Sequence, residues 1–143
     1  MHTVDMYQED LVCRTNGEGD ILNLSEDILQ VIQRSGISDG IISLYVYGST
    51  AALTTIEYEP GVLSDLLDSL KIVASREKEY AHDRAWGDGN GRSHVRASLI
   101  GPSLVIPVSH GALRTGRWQQ PVLVELDIRD SRERTIVCTV SGT

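Results

Sequence analysis

Apolar and polar residues alternate most regularly from Ile41 to Tyr47, where Ile42, Leu44 and Val46 fall on one side and Ile41, Ser43, Tyr45 and Tyr47 on the other. A period of two marks a strand with one buried face. The same logic predicts a strand from Thr3 to Arg14, ending at the Asn16-Gly17 turn, and a short extended run from Asp20 to Leu24. The period then lengthens. Ile28, Leu29 and Ile32 define one face of a helix that Ser25 would cap, that Glu26 and Asp27 favour in its first turn, and that Gly36 ends. Gly48-Ser49-Thr50 interrupts the strand that begins at Ile41 before it resumes to Tyr58, a pattern that predicts a bulge.

Pro60-Gly61 opens a second long helix reaching Val73, with Val62, Leu63, Leu66, Leu67 and Leu70 on one stripe. A short helix fits Asn90 to Gly101, and three strands follow: Ser103 to Val108, the run WQQPVLVELDI and the run RERTIVCTV. Pro121 cannot donate to a ladder, so it belongs at an edge or where pairing begins. These elements predict an α+β fold over residues 1–143, a single domain with an antiparallel β-sandwich-like core of six or seven mostly hairpin-connected strands, two longer helices and one short helix.

Composition narrows the function. The chain has no Phe and carries a net charge of -7 with a pI of about 5.0, which repels phosphate backbones and anionic lipid surfaces. The expectation is no nucleic-acid partner and no membrane partner. The first ten residues carry neither a basic flank nor an apolar run, so no signal peptide is predicted and a cytoplasmic location is expected. Cys13 and Cys138 stand in strand-like segments without CxxC spacing, as two buried reduced thiols.

Candidate chemistry is concentrated between Tyr80 and Gly116, among tight glycine turns. Asn90, His94 and Ser98 fall at helical i, i+4, i+8 spacing on one face, and Arg92 and Arg96 on another. His82 precedes His94 across the loop DRAWGDGNGRS, which can fold back to bring both rings to one cation, with Asp88 or Glu57 as oxygen ligand. Two imidazoles and a carboxylate suit zinc, manganese, iron or nickel with positions left open for water or substrate. The cofactor expected is a divalent metal ion, zinc or magnesium first.

Two readings of Arg96 stand together. With Ser98, Ser103 and the backbone N–H groups near Gly91 and Gly101 it forms a phosphate seat, or it pairs with Asp88 or Glu125 and fixes the loop. Glu57 is either a solvated strand end or a site carboxylate, with Ser49 and Thr50 the polar groups at the neighbouring interruption. A nucleophile is not indicated: there is no GxSxG elbow, and neither cysteine has a histidine close in sequence. His2 and His110 are expected to face solvent, and Trp118 to anchor packing or a subunit contact.

GSTAALTTIEYEPG (Gly48 to Gly61), DGNGRSHVRASLIGPS (Asp88 to Ser103) and GALRTGRWQQPVLVELD (Gly111 to Asp127) together resemble the YjbQ family, also called the secondary thiamine-phosphate synthase family. The resemblance implies a small α+β domain, a homotrimer, and a metal-capable pocket. It also implies a weak thiamine-phosphate synthase activity, in which a hydroxymethylpyrimidine diphosphate joins a thiazole phosphate with release of pyrophosphate. By position, His82, Asn90 and His94 match the family's histidine-rich block, and Ser93, Arg96, Ser98 and Ser103 its continuation. Many members carry histidine where Gly48 or Ser49 stands here, and many where Arg92 stands; Arg117 and Pro121 also depart from the pattern. The expected function is a metal-assisted enzyme acting on a small phosphorylated metabolite. In it His82 and His94 hold the cation, Glu57 or Asp88 completes the shell, and Ser49, Thr50, Asn90, Arg96, Ser98 and Ser103 face the substrate. The alternatives are a non-catalytic trimeric metabolite- or metal-binding protein, and a polar network that only fixes a trimer interface.

Overall fold

Among the described residues, eight strands and four helices follow one another. In the computed structural model, which describes residues 3–143, the order is β1 (Asp5–Thr15), β2 (Ile21–Asn23), α1 (Ser25–Ser35), β3 (Gly40–Val46), β4 (Ala51–Ile56) and α2 (Pro60–Val73). Then come α3 (Ala81–Trp86), α4 (Gly91–Ile100), β5 (Ser103–Ser109), β6 (Ala112–Leu113), β7 (Gln120–Glu125) and β8 (Arg132–Gly142). One sheet has the order β1-β8-β3-β5-β6 and the other β2-β7-β4, and every pairing is antiparallel. The α+β sandwich expected from periodicity is the fold observed.

Three layers result. The inner face of the five-stranded sheet, with Ile42, Leu44, Ile106, Ile136 and Val140, packs on α1 and on Leu53 and Leu123 of the smaller sheet. The other face of the smaller sheet, with Ala52, Val122 and Val124, receives Leu70 of α2 and Ala97 of α4. The central strand β7 is thus covered on both sides, which explains why its residues from Pro121 to Glu125 are all buried instead of alternating. Pro121 faces Thr55 near the start of that strand, where pairing begins.

Local expectations shift in several places. Gly48-Ser49-Thr50 is not a bulge: β3 bonds to β5 and β8 while β4 bonds to β7, so this turn carries the chain from one sheet to the other. The turn before β8 does the same, and the strands pair mainly with partners remote in sequence, β5 and β6 being a sequential pair. Ser25 is the first helical residue of α1, not its cap; its N–H donates to Asn23 Oδ1 at 3.0 Å. The six-residue α3 has no counterpart in the periodicity, and β6 raises the strand count to eight.

Helix α2 starts where Glu59 accepts the N–H groups of Gly61 and Val62 at 2.8 and 2.9 Å, which holds its carboxyl below the ordinary range. Cys138 is buried and its thiol pushed up to about 12 by that burial, whereas Cys13 is half-buried, not buried; both are free thiols. His110 is exposed, and Trp118 is exposed with the Arg117 guanidinium 4.7 Å from its ring centre. His2 lies outside the described residues. No helix among them is long and apolar enough to cross a membrane.

Candidate functional site

Helices α3 and α4 meet through Gly91, whose N–H donates to Asp83 Oδ1 at 2.8 Å. A Cβ on Gly91 would lie 2.5 Å from that of Tyr80, so only glycine lets the two helices approach this closely. Tyr80 is fixed in turn by its hydroxyl, which donates to Ser75 O at 2.7 Å. The approach brings His82 of α3 and His94 of α4 together, ring centroids 4.6 Å apart at 63°. The folded-back loop supplies Asp88 and Asn90 to the His82 ring. Asp88 Oδ1 is 3.2 Å from His82 Nε2. With its amide nitrogen facing these groups, Asn90 donates to Asp88 Oδ1 at 3.0 Å and to His82 Nε2 at 2.9 Å. In that arrangement Nε2 accepts the Asn90 amide.

His94 also faces an open cavity of about 760 Å³ whose wall includes Ser98 on the same helix face, Ser49 and Gly48 on the sheet-crossing turn, and Tyr45 of β3. The two faces expected of α4 are observed, because His94 and Ser98 line this cavity while Arg92 and Arg96 line a second one across the helix. His82 and Asn90 are half-buried, and Ser49 and Ser98 exposed.

The other candidate residues lie elsewhere. Arg96 is buried, with Nε donating to Ala74 O at 3.0 Å and Nη1 3.4 Å from Glu18. Its partner is therefore neither Asp88 nor Glu125, and α4 separates it from Ser98. The N–H groups of Gly91 and Gly101 are already bonded, to Asp83 and to Ala97 O, so they do not complete a phosphate seat. Ser103 is exposed at the start of β5, opposite Tyr45. Glu57 is exposed beyond the end of β4, about 20 Å of extended strand away from Ser49. Asp88, not Glu57, is the carboxylate beside the histidines.

Thr50 is buried and engaged. Its hydroxyl donates to Asp127 Oδ2 at 2.9 Å and accepts from Arg134 Nη2 at 2.8 Å. Arg134, 1% exposed, also grips Glu125 with Nε–Oε1 at 2.8 Å, and Thr15 donates to the same carboxylate at 2.7 Å. Burial alone would raise the Glu125 carboxyl, but hydrogen bonds from Arg134, Thr15 and the Asp127 N–H outweigh it and hold it below the ordinary range. Asp127 is depressed in the same way: burial opposes ionisation, and the Thr50 and Arg129 hydrogen bonds and the Arg132 charge overcome it. This buried network ties β1, β7 and β8 to the sheet-crossing turn that floors the larger cavity.

Residues 9–143 match the sequence model of the family described as UPF0047 protein YjbQ-like. The chain belongs to the YjbQ family. A UPF0047 protein of Methanothermobacter thermautotrophicus is 32% identical over 139 residues, 97% of this chain and 94% of that protein. The Escherichia coli O157:H7 protein YjbQ is 30% identical over 137 residues, 95% and 98% of the two chains. Among solved structures, a YbjQ-like protein of unknown function from Sulfolobus solfataricus superposes with a TM-score of 0.91 at 30% identity, covering 99% of this chain and 100% of that one. A conserved hypothetical protein of Thermus thermophilus superposes with a TM-score of 0.75 at 32% identity, covering 90% and 97%.

In this YjbQ-family chain Gly48 stands hard against the buried network. Gly48 has φ +104°, and a Cβ there would lie 2.6 Å from Arg134 Nη1, so a side chain at this position requires the buried guanidinium to move. The donor chemistry around His82 still suits a divalent cation. Nε2 and Asp88 Oδ1 are two lone-pair donors about 3 Å apart, as neighbouring ligand atoms are around a cation with bonds near 2.1 Å. Among the described residues no three His, Cys, Asp or Glu side chains already surround one point. Residues that sequence reasoning missed here are Tyr45, marked only by its place on the outer strand face, and Glu18, which carries no local signal at all.

Proposed function

We propose that this YjbQ-family chain is a metal-assisted enzyme acting on a small phosphorylated metabolite in the cavity beside His94, with thiamine-phosphate synthase chemistry as a secondary activity. The observation that carries the reading is the packing of His82, with Asp88 and Asn90 beside it, against His94, which lines a cavity of about 760 Å³. That volume accommodates a small metabolite with a phosphate group. His82, His94 and Asp88 would hold the cation, Asp88 and His82 each turning from its present contact toward it. A divalent cation bound there supplies positive charge to a leaving pyrophosphate. Asn90 orients Asp88 by hydrogen bonding. Ser98 and Ser49 offer hydroxyls to polar groups of the substrate, and Tyr45 gives an apolar wall for a ring.

A second copy of the chain is the partner we infer for the outer face of the five-stranded sheet. Ile41, Tyr45, Tyr47 and Val105 present an exposed apolar surface there, and Leu99 of α4 is exposed as well. Tyr45 belongs both to that face and to the cavity wall, so association would close the site from one side. A homotrimer is the assembly that the family resemblance supplies.

The test supplies hydroxymethylpyrimidine diphosphate and thiazole phosphate with zinc, manganese or magnesium and follows pyrophosphate release. The enzyme reading expects turnover that His94→Ala abolishes. Thermal stabilisation by either compound with no product from any pair supplied would favour the non-catalytic binding protein instead.

A further inference from the structure

Across α4 from the histidines lies a second cavity of about 340 Å³. Its wall carries Lys71 from α2, Arg76 from the loop after it, and Arg92 and Arg96 from α4, against the carboxylates of Glu18 and Glu77. Four cations and two anions meet here in a chain whose net charge is -7. Leu67 and Leu126 close the apolar side.

Glu18, on the turn between β1 and β2, occupies the centre. Arg92 engages it with both arms, Nε to Oε2 at 2.8 Å and Nη2 to Oε1 at 2.9 Å. Arg96 reaches the same carboxylate only at 3.4 Å, and its Nη2 has no protein acceptor among the described residues. The Arg92 side chain is 12% exposed and that of Arg96 6% exposed. Two guanidiniums withdrawn from water around one carboxylate leave a net positive charge, a costly arrangement unless further negative charge arrives. A phosphate group brings up to two charges and three acceptor oxygens, a closer match to two guanidinium forks than one carboxylate.

We propose that this cavity is a binding site for a small phosphorylated anion, and that the Glu18 carboxylate occupies the Arg92–Arg96 pair in its absence. Arg96 forms the buried floor, Arg92 turns its fork from Glu18 to the phosphate, and Lys71 and Arg76 approach from the exposed rim. The site is separate from the histidine cluster and does not depend on metal.

Inorganic phosphate is the probe, titrated calorimetrically at constant ionic strength set with chloride. The wild-type protein should bind it. Glu18→Gln removes the competing charge and should tighten binding by about tenfold or more, as expected when a charge-assisted competitor is lost. The double variant Lys71→Ala, Arg76→Ala alters only exposed side chains and should weaken binding by about tenfold or more. Affinity unchanged in Glu18→Gln, or unchanged in the rim double variant, would overturn the proposal. Binding that persists in both and disappears in His82→Ala would place the anion in the other cavity and overturn it equally. Should Glu18→Gln not fold, the rim double variant alone decides.

Discussion

His82 and His94 stand edge to face with ring centres 4.6 Å apart because Gly91 lets α3 and α4 touch. A methyl group at Gly91 meets the Tyr80 side chain at 2.5 Å, and Tyr80 is tied through its hydroxyl to Ser75 O. Gly91→Ala should therefore cost about 1–3 kcal/mol through overpacking. It should also separate the two imidazoles. Denaturant unfolding gives the first quantity, and loss of contacts between the ring protons of His82 and His94 in NMR spectra the second. A variant as stable as the parent with those contacts intact would refute the role given to Gly91.

The Arg134–Glu125 pair predicts a specific sensitivity to acid. Glu125 and Asp127 are held below their unfolded values of about 4.3 and 3.9. Their contribution is therefore full above about pH 5 and is lost as pH falls through the unfolded values toward the depressed folded ones. Urea midpoints measured from pH 7 to pH 3 should fall in that interval. Glu125→Gln leaves Arg134 buried without its counter-charge, and should lower stability at pH 7 by about 3–5 kcal/mol while flattening the acid dependence. An unchanged pH profile in that variant would assign the acid response to other carboxylates.

The self-association proposed for the outer sheet face can be tested without touching the core. Val105 is 64% exposed on β5, beside Ser43 in register and on the same face as Tyr45 and Ile41. Val105→Lys should shift the sedimentation mass from the trimer to the monomer while leaving the circular dichroism spectrum unchanged. A trimer that tolerates the lysine would place the subunit contact on another surface.

Much of this architecture can be read from periodicity because the relevant residues lie on one-sided elements. Ile42, Leu44 and Val46 alternate since β3 is covered on one face, and the α2 stripe ending at Leu70 is helical because only one side packs. The His94 and Arg96 faces of α4 are legible from i, i+4 spacing alone. The sheet assignments are not, because β3 and β4 are adjacent in sequence yet bond to different partners, and nothing in Gly48-Ser49-Thr50 distinguishes a bulge from a crossover. Helix α3 is too short for a period and is held by tertiary contacts such as that between Asp83 and Gly91.

Ion pairs explain the rest of what sequence alone leaves hidden. Asp88 and Glu125 are the acids expected near Arg96, whereas it meets Glu18, which comes from the other end of the chain and leaves no trace in local sequence. One signal is available. Glu125 interrupts an otherwise apolar run in a strand, and a carboxylate in such a place requires a buried cation, which Arg134 supplies. Thr50, a substrate contact if judged only by its position in a polar interruption, belongs to that same network.

Whether His82 and His94 form a metal centre is decided by the divalent-metal stoichiometry of the wild-type and His94→Ala proteins. Both are dialysed against zinc, then against metal-free buffer, and analysed by elemental spectrometry. A centre of two imidazoles and a carboxylate predicts about one retained zinc per chain in the wild type and none in the variant. Retention equal in the two proteins, or absent from the wild type, would contradict it.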